Sequence, residues 1–257
     1  MTARGLIALP TLAVAVAALA CAPSPSPTDT PAAIVGTMTA STPSPLPPSP
    51  GPGSTGECSS EWYPSEEDTV WVTAGSNNIT GDYTATLTVI ESRDDGFTVR
   101  QVTSSSDVDF VLEYGCSDAG LTMLNPMSQF GVASATGPDG SATVNTLAAS
   151  GITLPFDLRP GLTWQQYLSF EVIGQDVTIR GEYTADSIAR GLEVVTVPFG
   201  TFDAMRIDTE IQSAIEGEAM EPCQQTVWFV KEIGGIKAEG SCFGVVDSNE
   251  LTDFDAP

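Results

Sequence analysis

One stretch of the sequence decides the local fold: Val195-Thr196-Val197-Pro198-Phe199-Gly200-Thr201-Phe202-Asp203-Ala204-Met205-Arg206-Ile207. Its apolar residues recur at every second position before and after the centre, which is the period of a half-buried β-strand. Pro198 lacks a backbone donor and holds the preceding residue in an extended conformation. Gly200 tolerates a positive φ at little cost, so it lets the chain reverse. The stretch therefore predicts two β-strands joined by a tight turn. Just before it, Arg190-Gly191 is interpreted as a turn that leads into this hairpin.

We interpret this turn as structural. Pro198 ends the first strand, and Gly200 is expected to take the special dihedral. Phe199 and Phe202 straddle the turn and are expected to pin it onto the sheet, because large aromatic side chains usually fill the core of a β domain. Asp203 follows Phe202 and is interpreted as a cap of the turn.

The Val-Pro-Phe-Gly-Thr-Phe-Asp motif, followed by a second strand and a later Gly-Gly-Ile-Lys hairpin, resembles the TapB-like family of bacterial envelope proteins. The resemblance covers about residues 155–254. It implies a location in the cell envelope and a lipoprotein-carrier-like fold, in which a curved sheet embraces hydrophobic material. It implies no established chemistry.

Residues 1–20 are predicted to be a lipoprotein signal peptide. Arg4 is the basic region, residues 6–19 form an apolar run, and Ala18-Leu19-Ala20 precedes Cys21. The run is shorter than the roughly 20 residues of a membrane-spanning helix. A small-residue site that ends in cysteine predicts lipidation of Cys21, and so a chain tethered to the membrane. The alternative is ordinary signal cleavage beside an unrelated cysteine.

Residues 21–57 are predicted to be a disordered linker. Ten of the nineteen prolines lie here among Ser, Thr and Gly, and such a composition cannot bury a core. We interpret the linker as a spacer, in preference to a proline-rich recognition peptide. The extracytoplasmic domain is then residues 58–257.

The domain is strongly acidic. After Asp29 the chain holds eight basic residues (nine minus Arg4) and thirty-two acidic ones (thirty-three minus Asp29). This balance argues against nucleic acid as a partner, because nucleic-acid binding depends on basic patches. The acids are scattered and form no calcium-loop motif, so no metal site is predicted.

Four cysteines follow Cys21, which in an exported chain predicts two disulfides. Cys223 and Cys242 flank a predicted hairpin with a Gly234-Gly235 turn and should face each other, which leaves Cys58 for Cys116. A zinc site is the alternative, but no histidine and no paired Cys-x-x-Cys spacing support it.

Alternating segments predict an all-β fold. The clearest is 83–89, and further strands are predicted at 70–72, 97–102, 108–114, 121–124, 170–179, 181–188, 226–230, 236–239 and 245–254. We expect a curved antiparallel sheet, either a half-barrel or an open barrel. Residues 62–124 and 155–243 share a weak pattern, which predicts two fused repeats. The long connection 117–158, in which 143–149 fits a strand or a helical turn, is a candidate mouth or lid.

The sequence nominates no catalytic residue. It contains no histidine, the commonest general base, and no nucleophile elbow, phosphate loop or dinucleotide motif. Acidic pairs are numerous, so a glycosidase-like pair has no distinguishing context. Five aromatic residues fit either the core or a ligand groove, with the core preferred: Trp71, Trp164, Trp228, Phe199 and Phe202.

The predicted function is that of a non-catalytic, lipid-anchored binding or envelope-structural module that needs no cofactor. Its candidate partners are the membrane, an apolar ligand and another envelope protein. One alternative is a carrier that holds a lipid or another apolar ligand in the concave face of the sheet. The other is a hydrolase that uses paired carboxylates.

Overall fold

The computed structural model describes Cys58 and residues 60–105, 109–125, 143–173 and 178–257. Within these ranges the chain forms fourteen β-strands and no helix, so none of the described segments is a helix that could cross a membrane. The strands are β1 (Val70–Asn77), β2 (Gly81–Arg93), β3 (Gly96–Thr103), β4 (Phe110–Ser117), β5 (Gly120–Met123), β6 (Thr143–Gly151), β7 (Leu154–Pro155), β8 (Thr163–Ile173), β9 (Thr178–Val197), β10 (Gly200–Ile215), β11 (Glu218–Ala219), β12 (Cys223–Val230), β13 (Gly234–Cys242) and β14 (Val245–Asp255).

All fourteen strands belong to one antiparallel sheet that does not close. Its order is β6-β8-β9-β10-β12-β13-β14-β1-β2-β3-β4-β5-β7, and β11 pairs with β10 at the side. The prediction of an all-β fold built on an open antiparallel sheet is confirmed. The fused repeats and the boundaries of the signal peptide, linker and domain stay predictions. The signal peptide and the whole of the linker lie outside the described residues.

The topology requires the sheet to curve strongly. The end strands β6 and β7 are separated only by Ile152 and Thr153. A flat path of thirteen strands would be about 58 Å wide at ~4.8 Å per strand. The three Cα steps from Gly151 to Leu154 cover at most about 11 Å. The two ends of the sheet must therefore approach each other, and Thr122 Oγ1 on β5 donates to the Gly151 carbonyl of β6 at 2.8 Å.

The longest hairpin, β9–β10, contains a β-bulge where a turn was expected. Arg206 pairs with Gly191 and Ile207 pairs with Ala189, so Arg190 is an extra residue in β9. A bulge admits one extra residue and bends the strand without ending it. The interpretation of Arg190-Gly191 as a turn is therefore wrong. The strand predicted over 170–179 is also wrong, since β8 ends at Ile173 and β9 begins at Thr178.

The tip of this hairpin lies against β14. Val197 pairs with Gly200, so Pro198 and Phe199 alone form the turn. The Phe199 amide donates to the Leu251 carbonyl at 3.1 Å, and the Phe199 ring lies 6.1 Å from that of Phe202 between centroids. The turn therefore connects the β9–β10 hairpin to β14, which lies three strands away from β10 in the sheet.

Two details of the predicted turn are wrong. Gly200 does not have a positive φ; a Cβ atom there would lie 2.9 Å from the Phe202 ring. The glycine therefore leaves room for an aromatic ring, and the reversal does not depend on its dihedral freedom. Asp203 is exposed within β10 opposite Val194, so it does not cap the turn.

The remaining strand predictions differ from the structure mainly in length. Residues 143–149 belong to β6, which settles the choice between strand and helical turn. The β12–β13 loop is Lys231–Ile233, because Gly234 already pairs with Val230. Gly234 and Gly235 therefore begin β13, and the prediction that they form the turn is wrong. Val108 and most of the predicted mouth or lid, residues 126–142, lie outside the described residues.

Candidate functional site

Two apolar clusters fill much of the space on the inner face of the curved sheet. The larger cluster includes Trp62, Trp71, Phe97 and Tyr114, and Tyr63 packs against it. We call residues 60–69, which contribute Trp62 and Tyr63, the N-terminal cap. The smaller cluster contains Leu168, Phe170, Val172, Tyr183, Ala185, Ile211 and Cys223. The concave face is therefore largely packed, as a structural module requires.

A cavity of about 200 Å³ remains between the two clusters. Ala185 and Ile211 of the smaller cluster line one side, and Tyr114 and Leu121 of the larger cluster line the other. Of the described residues that line it, none is charged. The sixteen are Tyr63, Tyr114, Leu121, Met123, Ile152, Thr153, Leu154, Gln166, Ala185, Ser187, Ile207, Thr209, Ile211, Gln225, Val227 and Phe229.

Two polar residues of this lining hold the ends of the sheet together. Gln166 Nε2 donates to the Met123 carbonyl at 2.9 Å, and Thr153 Oγ1 donates to Gln166 Oε1 at 2.8 Å. The Met123 amide in turn donates to Thr153 Oγ1 at 2.7 Å. The hydrogen bonds of Thr153 and Gln166 are thus used to join β5, the connection between β6 and β7, and β8.

Three other polar residues form a row across β9, β10 and β12. Ser187 pairs with Thr209, and Thr209 pairs with Gln225 in the strand register. The Ser187 and Thr209 hydroxyls are 2.9 Å apart. Within the described part of the chain, the Gln225 side chain makes no hydrogen bond. We call Ser187, Thr209 and Gln225 the polar row.

Two tyrosines form part of the opposite wall. The rings of Tyr63 and Tyr114 both stack on Phe97, with centroid distances of 5.4 and 4.9 Å. Burial raises the pKa of Tyr114 to about 12, and burial followed by the proximity of Tyr114 raises the pKa of Tyr63 well above its usual value. Both hydroxyls therefore stay neutral, and the wall offers no charge to a ligand.

A second cavity, of about 440 Å³, is an open groove on the outer face of β9 to β14. Asp208 lies at its centre and accepts hydrogen bonds from Arg190 Nε at 2.8 Å, Arg206 Nε at 2.8 Å and Thr226 Oγ1 at 3.1 Å. Partial burial raises the pKa of the Asp208 carboxyl, but the bonds from Arg206, Arg190 and Thr226 together outweigh it, so the pKa lies below its usual value.

The other acids of the groove also have partners. Glu239 forms an ion pair with Lys237 at 3.0 Å, and Asp247 accepts from the Tyr83 hydroxyl at 3.0 Å. The groove therefore presents paired charges of both signs. The described residues contain no group of three or more cysteines or acids that could hold a metal ion.

None of the five aromatic residues considered for a ligand groove lines either cavity. Trp71 and Trp228 are buried, while Trp164, Phe202 and Phe199 pack at the edges of the larger cluster or beside it. Trp228 lies beneath Arg206 and Lys237, whose charged groups are 5.8 and 5.4 Å from the ring centroid. In the described structure these five aromatic residues therefore serve to pack the interior and the turn.

The four domain cysteines lie at disulfide distance in the predicted pairs. The Cα atoms of Cys58 and Cys116 are 5.6 Å apart, and those of Cys223 and Cys242 are 4.4 Å apart. The first pair ties the chain just before the N-terminal cap to β4. The second joins β12 to β13 beside the smaller cluster. Cys21 lies outside the described residues, so its lipidation stays a prediction.

Sequence reasoning missed the residues that line the cavity. One signal was present: Thr209 interrupts the apolar alternation Ile207, Ile211 with a hydroxyl on the same face of the strand. A polar residue at an inward position indicates an internal hydrogen bond or a polar spot in the interior. Its partners on β9 and β12 depend on the strand register and are not visible in a local pattern.

Comparison with known proteins shows the fold. No family model and no curated protein matches the chain, so the TapB-like resemblance stays a prediction. A protein from Parabacteroides distasonis that is regarded as a lipoprotein has a TM-score of 0.53 at 14% identity, over 79% of this chain and 100% of its own.

Two further structures are less similar. A protein from Bacteroides fragilis, regarded as exported and described as having a YmcC-like fold, has a TM-score of 0.49 at 14% identity over 76% of this chain and 99% of its own. The hypothetical lipoprotein YmcC from Escherichia coli has a TM-score of 0.38 at 9% identity over 74% and 85%. The chain thus shares its fold with the Parabacteroides distasonis protein.

Proposed function

We propose that this chain is an extracytoplasmic, lipid-anchored binding module that holds a small apolar ligand in the cavity between its two apolar clusters. The cavity is the observation that carries the proposal. Protein interiors are normally packed with few voids larger than a water molecule, whereas this one leaves about 200 Å³ behind a mostly apolar lining. Ligand sites have this character, an apolar wall with a few polar groups.

The arrangement supports binding without catalysis. Among the described residues, the lining carries no acid, no lysine and no free thiol that could act on a ligand. In the outer groove, Asp208, Glu239 and Asp247 are each engaged by a neighbouring side chain. No observation on the described residues therefore favours the carboxylate hydrolase.

The anchor is proposed from the signal sequence, and a protein of similar fold is itself regarded as a lipoprotein. We expect the mature chain to begin at Cys21 with a diacylglyceryl group on its sulfur. Mass spectrometry of the mature N-terminus measures the adduct, and Cys21→Ala should lose it. Cys58→Ala is the matched control and should keep it. An unmodified N-terminus in the wild-type protein would contradict the anchor.

Filling the cavity should abolish binding without unfolding the domain. Ala185 is buried and lines the cavity, so Ala185→Leu places three more carbons in empty space. Ala74→Leu makes the same change on an exposed position of β1 and is the control. Benzene is a suitable probe, because an apolar cavity of roughly 150 Å³ is enough to hold it.

The Met123 methyl group reports occupancy, because Met123 lines the cavity and Met220 is exposed elsewhere. In methyl NMR of the full chain, benzene should shift the Met123 signal and leave the Met220 signal in place. The Met123 shift should persist in Ala74→Leu and vanish in Ala185→Leu. A folded Ala185→Leu protein that still binds benzene at Met123 would overturn the proposal in favour of a purely structural module.

A further inference from the structure

We infer that the ligand of the cavity is a neutral molecule of about seven to ten non-hydrogen atoms, with an apolar body and one hydrogen-bonding group that faces the polar row of Ser187, Thr209 and Gln225. This inference rests on the proposed function and adds the chemical class of the ligand.

The volume sets the size of the ligand. The cavity measures about 200 Å³, against roughly 150 Å³ for a cavity that holds benzene. A long acyl chain or a whole lipid does not fit this space. The carrier alternative, with a lipid in the concave face of the sheet, is therefore narrowed to a small molecule or a short apolar group.

The described lining carries no charged residue, and this determines that the ligand is neutral. A buried carboxylate or ammonium group needs a partner of opposite charge, because moving an unpaired ion out of water costs several kcal/mol. The neighbouring tyrosines Tyr63 and Tyr114 stay neutral, and the arginines Arg190 and Arg206 lie on the outer face with Asp208. Neither an anionic nor a cationic ligand finds a counter-charge among the described residues of the cavity wall.

The polar row determines where the ligand can form a hydrogen bond. Ser187 and Thr209 share one hydrogen bond between two hydroxyls, which leaves one hydroxyl hydrogen for another acceptor. Gln225 lies beside them, and its amide makes no hydrogen bond within the described residues. An amide offers both a donor and an acceptor. Other polar side chains of the lining, Thr153 and Gln166, are already engaged with each other and with Met123.

Three probes of similar size separate these requirements: benzene, phenol and benzoate. Their affinities are measured from the Met123 methyl shift in the full chain at neutral pH, where benzoate is charged. Phenol should bind about fivefold more tightly than benzene, because one hydrogen bond is worth on the order of 1 kcal/mol net. Benzoate should bind at least tenfold more weakly than phenol, because it would bury an unpaired charge.

Substitutions in the polar row test where the hydrogen bond forms. Thr209→Val and Gln225→Met remove a polar group and nearly keep its volume, so each should lower the phenol-to-benzene preference several-fold and leave benzene affinity unchanged. Thr226→Val is the matched control, since the Thr226 hydroxyl donates to Asp208 on the outer face. The preference should be unchanged in this variant.

The outcomes distinguish the proposed binding cavity from the inferred chemical class of its ligand. If benzene binds at Met123 and phenol gains nothing over it, or if benzoate binds as well as phenol, the ligand class is wrong while the proposed binding cavity stands. If none of the three probes shifts Met123, both claims fail. An equal loss of preference in Thr226→Val and Thr209→Val would place the hydrogen bond outside the polar row and overturn the inference.

Discussion

Replacing Cys58 and Cys116 together by alanine is expected to lower the free energy of unfolding by about 4 kcal/mol, by the loop-entropy estimate. The two residues are separated by 58 positions, and a longer loop gives the unfolded chain more freedom once the bridge is absent. At roughly 2–4 °C per kcal/mol for a domain of this size, the melting temperature should fall by about 8–16 °C.

The second pair is the matched comparison. Cys223 and Cys242 are separated by 19 positions, so the same estimate gives about 3 kcal/mol for their removal. The structure adds a reason for the larger effect at Cys58. This cysteine holds the N-terminal cap, whose Trp62 is buried in the larger cluster, and Ser65 Oγ donates to the Cys58 carbonyl at 2.6 Å.

Thermal unfolding followed by circular dichroism measures both losses, and tryptophan fluorescence reports on the cap. We expect the Cys58/Cys116 variant to melt at the lower temperature and to expose Trp62 before the sheet unfolds. A Cys223/Cys242 variant that is the less stable of the two would contradict the loop argument. An unchanged melting temperature in both variants would mean that the bridges do not form.

The fold could be predicted from the sequence where local alternation coincides with burial. Ala85 and Val89 are buried, Thr84 is exposed, and the strand predicted there is the centre of β2. The cysteine pairing could be predicted for a similar reason, since Cys223 and Cys242 flank a local hairpin. Both predictions depend on neighbours in sequence, which a local pattern records.

The bulge and the turn show what a local pattern omits. Arg190-Gly191 resembles a turn in sequence, but a bulge opposite Arg206 and Ile207 keeps the strand continuous. At Gly200 the sequence shows only that a side chain is absent. Whether the glycine is needed for its φ or for the nearby Phe202 ring depends on packing in three dimensions.

The candidate site could not be predicted because it is assembled by register between distant strands. Ser187, Thr209 and Gln225 become neighbours only through the pairing of β9, β10 and β12. The cavity also needs β5 and β7, which lie at the other end of the sheet, to approach β8. These contacts follow from the curvature of the sheet, which a two-residue period does not determine.

Alkaline titration is the second large effect that the structure predicts, because all five tyrosines have raised pKa values. Burial is the largest cause in each case, and it brings the pKa values of Tyr83 and Tyr114 to about 12. The charge of Asp247 also raises the pKa of Tyr83. The pKa values of Tyr63, Tyr167 and Tyr183 are raised as well.

The sign of the effect follows from linkage. A tyrosine whose pKa is higher in the folded state than in the unfolded state, where it is about 10, binds its proton more tightly when folded. Its contribution to stability is fully present below pH ~10 and is lost as the pH rises through the folded value. The buried tyrosines should therefore ionise together with unfolding, in a cooperative step above pH ~10.

Tyrosinate absorbance measured beside near-ultraviolet circular dichroism tests this expectation. At pH ~10, where free tyrosine is half ionised, the native protein should show little tyrosinate and an unchanged tertiary signal. At higher pH both signals should change in one transition.

Tyr83→Phe removes one group that loses its proton on unfolding, so the midpoint of alkaline unfolding should rise. Tyr167→Phe, at the less buried Tyr167, is the control and should shift it less. Two or more tyrosines that ionise reversibly near pH 10 in the folded protein would show that the interior is open to water, contrary to the packed clusters on either side of the cavity.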